Sequence, residues 1–214
     1  MKKIWLSICA IAIFTACGEQ EGNNETTAPE QKKKPLNIIF LVGDGMGLSQ
    51  LSSVYYFGDG SEPNFSRFKT IGLSRTSASS HKITDSAAGA TAFSTGKKTY
   101  NGAIGMDADT TAAKTILEEL SALGWNSGVV ATSTITHATP GSFYAHVKSR
   151  AEQPEIAQYL VRSDVDFFAG GGLRYFNERL DSLNLLDSLE QNGFVWDTTS
   201  VSYTHLTLPT TSRV

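Results

Sequence analysis

The segment that most constrains this chain is residues 37–42, apolar after its first asparagine, which runs directly into Gly43-Asp44-Gly45-Met46-Gly47. A run without polar alternation is what a strand buried on both faces carries, and a glycine-rich turn is how such a strand leaves a sheet. Comparable apolar segments recur at residues 128–131 and 165–169. Around them, spacing predicts helices over residues 48–57, 86–94, 111–123 with Gly124 as its cap, 140–148, 155–162, and 181–191 with Gly193 just beyond. This alternation predicts an α/β domain whose parallel sheet is covered by helices, and no internal repeat is visible.

Ligands of open α/β sheets meet the carboxyl ends of strands. Asp44 follows the first expected strand and residues 132–139 follow the second, so both loops are expected at one edge of the sheet with Ser86. Ser86 stands in Thr84-Asp85-Ser86-Ala87-Ala88-Gly89-Ala90-Thr91-Ala92, behind an acidic residue and ahead of small residues suited to opening a helix. The start of a helix offers unpaired N–H groups and partial positive charge, which suits a serine nucleophile meeting an anionic substrate. A serine hydroxyl is a weak nucleophile at neutral pH and needs activation. No histidine stands beside Ser86, and His81 reads as a surface residue, which leaves a cation on the hydroxyl oxygen as the route. Asp44, between two glycines, can bring a carboxylate close to such a cation, although the same pattern describes a turn aspartate bonding its own backbone.

Three other motifs fail. Gly43-Asp44-Gly45-Met46-Gly47-Leu48 breaks the dinucleotide pattern at Leu48, and its aspartate would repel a pyrophosphate. Gly96-Lys97-Lys98 resembles the end of a P-loop, but Thr91 stands where the earlier glycine is required. Thr84 and Ala88 flank Ser86 where a nucleophile elbow has glycines. An ATPase and an ordinary serine esterase are therefore disfavoured.

With Thr95-Gly96-Lys97-Lys98-Thr99-Tyr100-Asn101-Gly102, these segments resemble the alkaline phosphatases over about residues 37–176. The resemblance implies hydrolysis of phosphate monoesters through a phosphoserine on Ser86, two Zn2+ ions and one Mg2+, inorganic phosphate as product, and a homodimeric parent. It implies a three-layer sandwich with a parallel-rich central sheet flanked by helices. In that reading Asp44 bridges one zinc and the magnesium, Ser86 is the zinc-activated serine, Thr139 gives its hydroxyl to magnesium, and Arg150 clamps two phosphate oxygens. A planar guanidinium suits bidentate phosphate contact and keeps its charge at alkaline pH; the other reading of Arg150 is a solvated cation at a helix end. His137 stands where some members have a magnesium-binding aspartate and others a histidine, and a neutral imidazole there would leave magnesium bound through water and less tightly. His146 reads as packed or capping. Gly170-Gly171-Gly172 also resembles a family segment, and plainly reads as a tight turn out of a strand. A sulfatase is disfavoured because Ser86 is followed by Ala87-Ala88-Gly89.

The family's zinc sites also need three histidines and further aspartates from the later half of the chain, with a glutamate for magnesium. This chain has four histidines in all, including His205 near its end. It therefore reads as the N-terminal part of such an enzyme, residues 37–200, truncated and without turnover of its own. The reading from another class is a non-catalytic surface lipoprotein that binds phosphate or a partner.

Both ends read differently from the middle. Residues 1–16, with Lys2 and Lys3 ahead of an apolar run too short to span a membrane, read as an export signal. Cys17 after Thr15-Ala16 resembles a bacterial lipobox cysteine, with Phe14 where leucine is usual, so lipidation at Cys17 and a periplasmic or outer-membrane-anchored lipoprotein are expected; the alternative is simple secretion. Cys9 lies in the signal, so no pair remains for an intramolecular disulfide, unlike disulfide-bearing members of the family. Residues 17–36, polar and ending near Lys32-Lys33-Lys34, read as a flexible tether. Residues 201–214 resemble translated adapter sequence rather than native chain, with a genuine short terminal strand as the alternative. The net charge of -3 argues against sequence-independent nucleic-acid binding, which needs a basic face.

Overall fold

The computed structural model describes residues 36–198. The expected signal, Cys17, the tether up to residue 35 and the expected non-native tail lie outside the described residues.

The two compact units of the chain divide after Leu41. In the first, residues 36–41 are irregular and solvent-facing. The expectation of a buried strand at residues 37–42 is corrected here: Ile39 is 84% exposed, and the sheet contains two other strands. A fully apolar run becomes a central strand only when ladder partners and covering layers accept it.

The second unit carries the α/β core. Strand β1 (Gly128–Thr134) pairs in parallel with β2 (Phe167–Gly171), with Gly128 opposite Phe167 and Val130 opposite Ala169, and the register shifts before Thr134 meets Gly171. Parallel neighbours need a long crossover. Here it runs through α4 (Ala138–Gly141) and α5 (Gln153–Arg162), with Pro154 in the first turn of α5, where a missing N–H costs no helix bond. One face of α5 buries Ile156, Ala157, Leu160 and Val161. Against this face pack α6 (Arg174–Asn177) and α7 (Leu185–Gln191), the latter through Leu185, Leu186 and Leu189. The parallel α/β expectation therefore holds, on two strands.

Upstream lie α1 (Leu48–Phe57), a 3₁₀ turn at Asn64–Arg67, α2 (Ser86–Thr95) and α3 (Ile116–Ser121). Helix α1 has the expected bounds and no buried residue. Helix α2 packs on α4 through small residues: Ala87 and Ala88 are buried, and buried Thr91 and Ser94 donate to Ala103 O at 3.0 Å and Ser142 O at 2.6 Å.

Three helices are shorter than their spacing predicts; the one expected over residues 181–191 begins only at Leu185, where Asn184 caps α7 by accepting from Leu186 N–H at 3.2 Å. Residues 111–115 are held outside α3 because Asp107 turns the chain, its Oδ1 accepting from the N–H groups of Asp109 and Thr111, and a bridge ties Met106 to Ala112. Thr115 then starts α3 through a reciprocal cap with Glu118. Gly124, at φ 79°, closes it as expected, with Gly124 N–H on Ser121 O and Trp125 N–H on Leu120 O. The helix expected over 140–148 is only the turn of α4, since Val147 exchanges both backbone bonds with Ile104 at 2.9 Å and draws the chain into an extended pairing. Gly105 is required beside that pairing: its φ is +57°, and a Cβ there would lie 2.0 Å from Ala145 O.

Candidate active site

Asp44 sits in a turn closed by Met46 N–H on Gly43 O at 3.1 Å, with Gly45 at φ 67°. This geometry presents the carboxylate to two hydroxyls from distant parts of the chain. Ser86 Oγ donates to Asp44 Oδ1 at 2.9 Å and Thr139 Oγ1 donates to Asp44 Oδ2 at 3.0 Å. Ser86 is the first residue of α2, and Thr139 lies in the short α4. Three residues singled out in the sequence thus meet at one carboxylate, with Ser86 and Thr139 partly buried and Asp44 exposed.

Arg150 is anchored one residue before the serine. Its Nη1 donates to Asp85 Oδ2 at 3.2 Å, and its Nη2 contacts His137 Nε2 at 3.2 Å. A guanidinium only donates, so Nε2 is the acceptor in this contact. Asp85 itself caps α2, its Oδ1 accepting from Ala88 N–H at 2.9 Å, and Gly102 N–H reaches its Oδ2 at 3.1 Å. Burial pushes the Asp85 carboxyl up, but the N–H groups of Ala88 and Gly102 and the Arg150 guanidinium outweigh it and hold it below the ordinary aspartate value. The anchor is therefore a charged one, about one-third exposed on the arginine side.

The role of Asp85 in holding Arg150 was not read from the sequence. Its signal was available in part: an aspartate directly before a run of helix-forming small residues is a strong N-cap. Nothing local links it to an arginine 65 positions away.

The remaining histidines divide as expected. His81 is exposed, with Nδ1 2.7 Å from Ser80 Oγ. His146 is packed: its Nδ1 lies 2.7 Å from Gly105 O, its Nε2 2.9 Å from Glu118 Oε1, and its ring meets Tyr159 edge-on. Gly172, at φ 101°, turns the chain out of β2.

The donor chemistry at Asp44 is a carboxylate and two hydroxyls, oxygen donors of the kind a hard cation such as magnesium takes. For zinc, Asp44 and Ser86 offer two oxygens of the four ligands usual for that ion. Among the described residues no three histidine, cysteine, aspartate or glutamate side chains cluster for a metal.

Comparison with known proteins points to one family. The model of the family described as Alkaline phosphatase matches residues 35–208. "Alkaline phosphatase 4" of Bacillus subtilis is 35% identical over 218 residues, covering 93% of this chain and 47% of that protein. An alkaline phosphatase of Schizosaccharomyces pombe is 42% identical over 180 residues, covering 76% of this chain and 34% of its own. Among solved structures, the alkaline phosphatase from the Antarctic bacterium TAB5 superposes with a TM-score of 0.72 at 54% identity, over 74% of this chain and 46% of that one. The chain thus spans about half or less of the length of these relatives. With a family match over most of its length, Ser86 bonded to the Asp44 carboxylate and Arg150 bonded to the residue before that serine, the chain belongs to the alkaline phosphatase family.

Proposed function

We propose that the protein to which this chain belongs hydrolyses phosphate monoesters, with Ser86 as the group phosphorylated. The observation that carries this reading is the placement of Ser86: its Oγ, at the first turn of α2, donates to the Asp44 carboxylate at 2.9 Å, and the residue before it anchors Arg150. Arg150, with donors in a planar fork, binds the oxygens of the incoming phosphoryl group and orients phosphorus toward Oγ. The Oγ–P bond forms as the ester P–O bond breaks, and the proton that Ser86 Oγ gives up is balanced by the one the departing alcohol takes up, while the hydrogen bond to Asp44 Oδ1 fixes where Oγ stands. Water then breaks the Oγ–P bond, phosphate departs, and Ser86 regains its proton.

Asp44, Ser86 and Thr139, with His137, are the residues that would hold the family's zinc and magnesium. Those ions, when bound, supply positive charge that lowers the pKa of the serine hydroxyl and offsets the charge on phosphate. Magnesium has support from relatives: two variants of the TAB5 enzyme, with one histidine replaced by glutamate or by aspartate, carry magnesium at a site named M3. Phosphomonoesters and inorganic phosphate are the proposed ligands, in a homodimeric parent exported and anchored through lipidated Cys17.

The test is turnover of a chromogenic phosphomonoester by the complete protein before and after chelation, with zinc and magnesium then restored, alongside trapping of labelled phosphate. Activity that chelation abolishes and the ions restore, with label on Ser86 that Ser86→Ala removes, is expected. Label on another residue, or turnover indifferent to thorough chelation, overturns the reading. Phosphate binding without any turnover would favour the non-catalytic lipoprotein. Mass spectrometry of the mature N-terminus decides Cys17: an unmodified cysteine in soluble protein means simple secretion.

A further inference from the structure

The turn at Tyr100-Asn101-Gly102 belongs to neither the serine nor the arginine segment, yet it bonds to both. Asn101 Oδ1 accepts from Asp85 N–H at 3.1 Å, and Asn101 Nδ2 donates to Ile83 O at 3.1 Å. The backbone N–H of Asn101 donates to Ser80 Oγ at 3.1 Å. One side-chain amide therefore pins a donor and an acceptor two residues apart on the approach to α2. The orientation of that amide is fixed by its partners, since a backbone N–H can only donate and a carbonyl can only accept.

The same turn grips the arginine side through backbone and phenol. Gly102 O accepts from Arg150 N–H at 2.8 Å, and Tyr100 Oη donates to Lys148 O at 3.1 Å. Gly102 N–H also reaches Asp85 Oδ2 at 3.1 Å, at a φ of 92° that favours glycine. The start of the nucleophile helix and the backbone of Arg150 are thus indexed against each other through three consecutive residues.

We propose that Asn101 is a positioning residue for Ser86: its amide sets where α2 begins, and so where Oγ stands relative to phosphorus held by Arg150. This rests on the phosphoserine reading above. The division of labour within the turn gives the inference its signature. Among the described residues, Asn101 side-chain hydrogen bonds go only to the serine segment, whereas the contacts to Lys148 and Arg150 come from Tyr100 and from the Gly102 backbone. Removing the Asn101 amide leaves the contacts to Lys148 and to the Arg150 backbone in place, and the contact between Arg150 and Asp85 is the route by which the loss reaches the guanidinium.

The experiment compares the complete wild-type protein with Asn101→Ala and Asn101→Asp. Three quantities are read: the rate of Ser86 phosphorylation by rapid quench, the inhibition constant of inorganic phosphate, and amide hydrogen exchange at Asp85 and Ser86. Misplacement of a reacting atom by a fraction of an ångström to one ångström lowers rates on the order of 10- to 100-fold, and that loss is expected for Asn101→Ala, with a clearly smaller change in the phosphate constant. Asn101→Asp keeps an acceptor for Asp85 N–H and loses the donor to Ile83 O, so it should fall between. Faster exchange at Asp85 N–H should accompany Asn101→Ala, and a smaller increase Asn101→Asp, which keeps that bond's acceptor. Unchanged phosphorylation and exchange overturn the proposal, as does an equal loss in phosphorylation and phosphate affinity, which marks a merely structural role. If wild-type Ser86 takes no label, the phosphoserine reading fails instead, and the exchange data still decide whether Asn101 sets the start of α2.

Discussion

Arg150 Nη2 and His137 Nε2 meet at 3.2 Å, so the imidazole at the entry to α4 is a hydrogen-bond acceptor for the arginine expected to bind phosphate. The guanidinium is thereby held from two sides, by an imidazole and by the Asp85 carboxylate. Restraint before binding is restraint that substrate need not impose.

Replacing His137 with alanine in the complete protein removes one of these restraints. A hydrogen bond of this kind contributes about 0.5–1.5 kcal/mol, so the inhibition constant of inorganic phosphate should rise roughly 2- to 10-fold. An unchanged constant in His137→Ala would mean that Asp85 alone orients Arg150.

Asp85 does two jobs that two substitutions separate. Asn is as good an N-cap as Asp, so Asp85→Asn should keep α2 stable while giving up the charged contact to Arg150; Asp85→Ala should lose both, with about 1 kcal/mol of stability from the cap. Thermal unfolding and phosphate inhibition, measured together, check this. Equal stability of the two variants would refute the capping role.

Glu118 offers a pH test away from the candidate site. Burial raises its carboxyl, but the Thr115 N–H and His146 outweigh that and hold it below the ordinary glutamate value. A lowered pKa contributes stability that is complete above the unfolded value of about 4.3 and is lost as pH falls through the folded-state value. Glu118→Gln should therefore unfold with less dependence on pH below about 4.3 than wild type. Parallel profiles of melting temperature against pH for the two proteins would contradict it.

Helix α1 should open far more readily than α5. No residue of α1 is buried, while α5 buries four. Hydrogen exchange read by peptide should show α1 exchanging early and α5 among the last. Comparable protection in both would show that α1 is held by contacts other than burial.

Much of this arrangement was legible locally. Ser86 at a helix start, Asp44 in a glycine turn and Thr139 after a strand each carry a short-range signal, and the structure brings the three together. Periodicity also found α1, α2, α5 and the two strands to within a few residues. What spacing could not supply was competition from pairing partners far along the chain. Ile104 takes the backbone of Val147 out of a helix, and the Asp107 turn keeps residues 111–115 out of α3. The run at residues 37–42 fails in another way, because apolar composition by itself does not make a strand. Asp85 and Asn101 went unread because their importance lies in partners: one holds an arginine, the other spans the approach to Ser86.

The bonds from Asp44 to Ser86 and Thr139 close loops of 42 and 95 positions, and they fasten a glycine turn that leads straight into a helix with no buried face. Thermodynamic reciprocity follows. Whatever binds at this carboxylate in preference to its opened state adds RT ln(1 + [L]/Kd) to the free energy holding the turn closed. By the same linkage, the work of ordering the turn is subtracted from the affinity observed for that ligand. Affinity measured at Asp44 is thus also a measure of how often this stretch of chain is in place to bind.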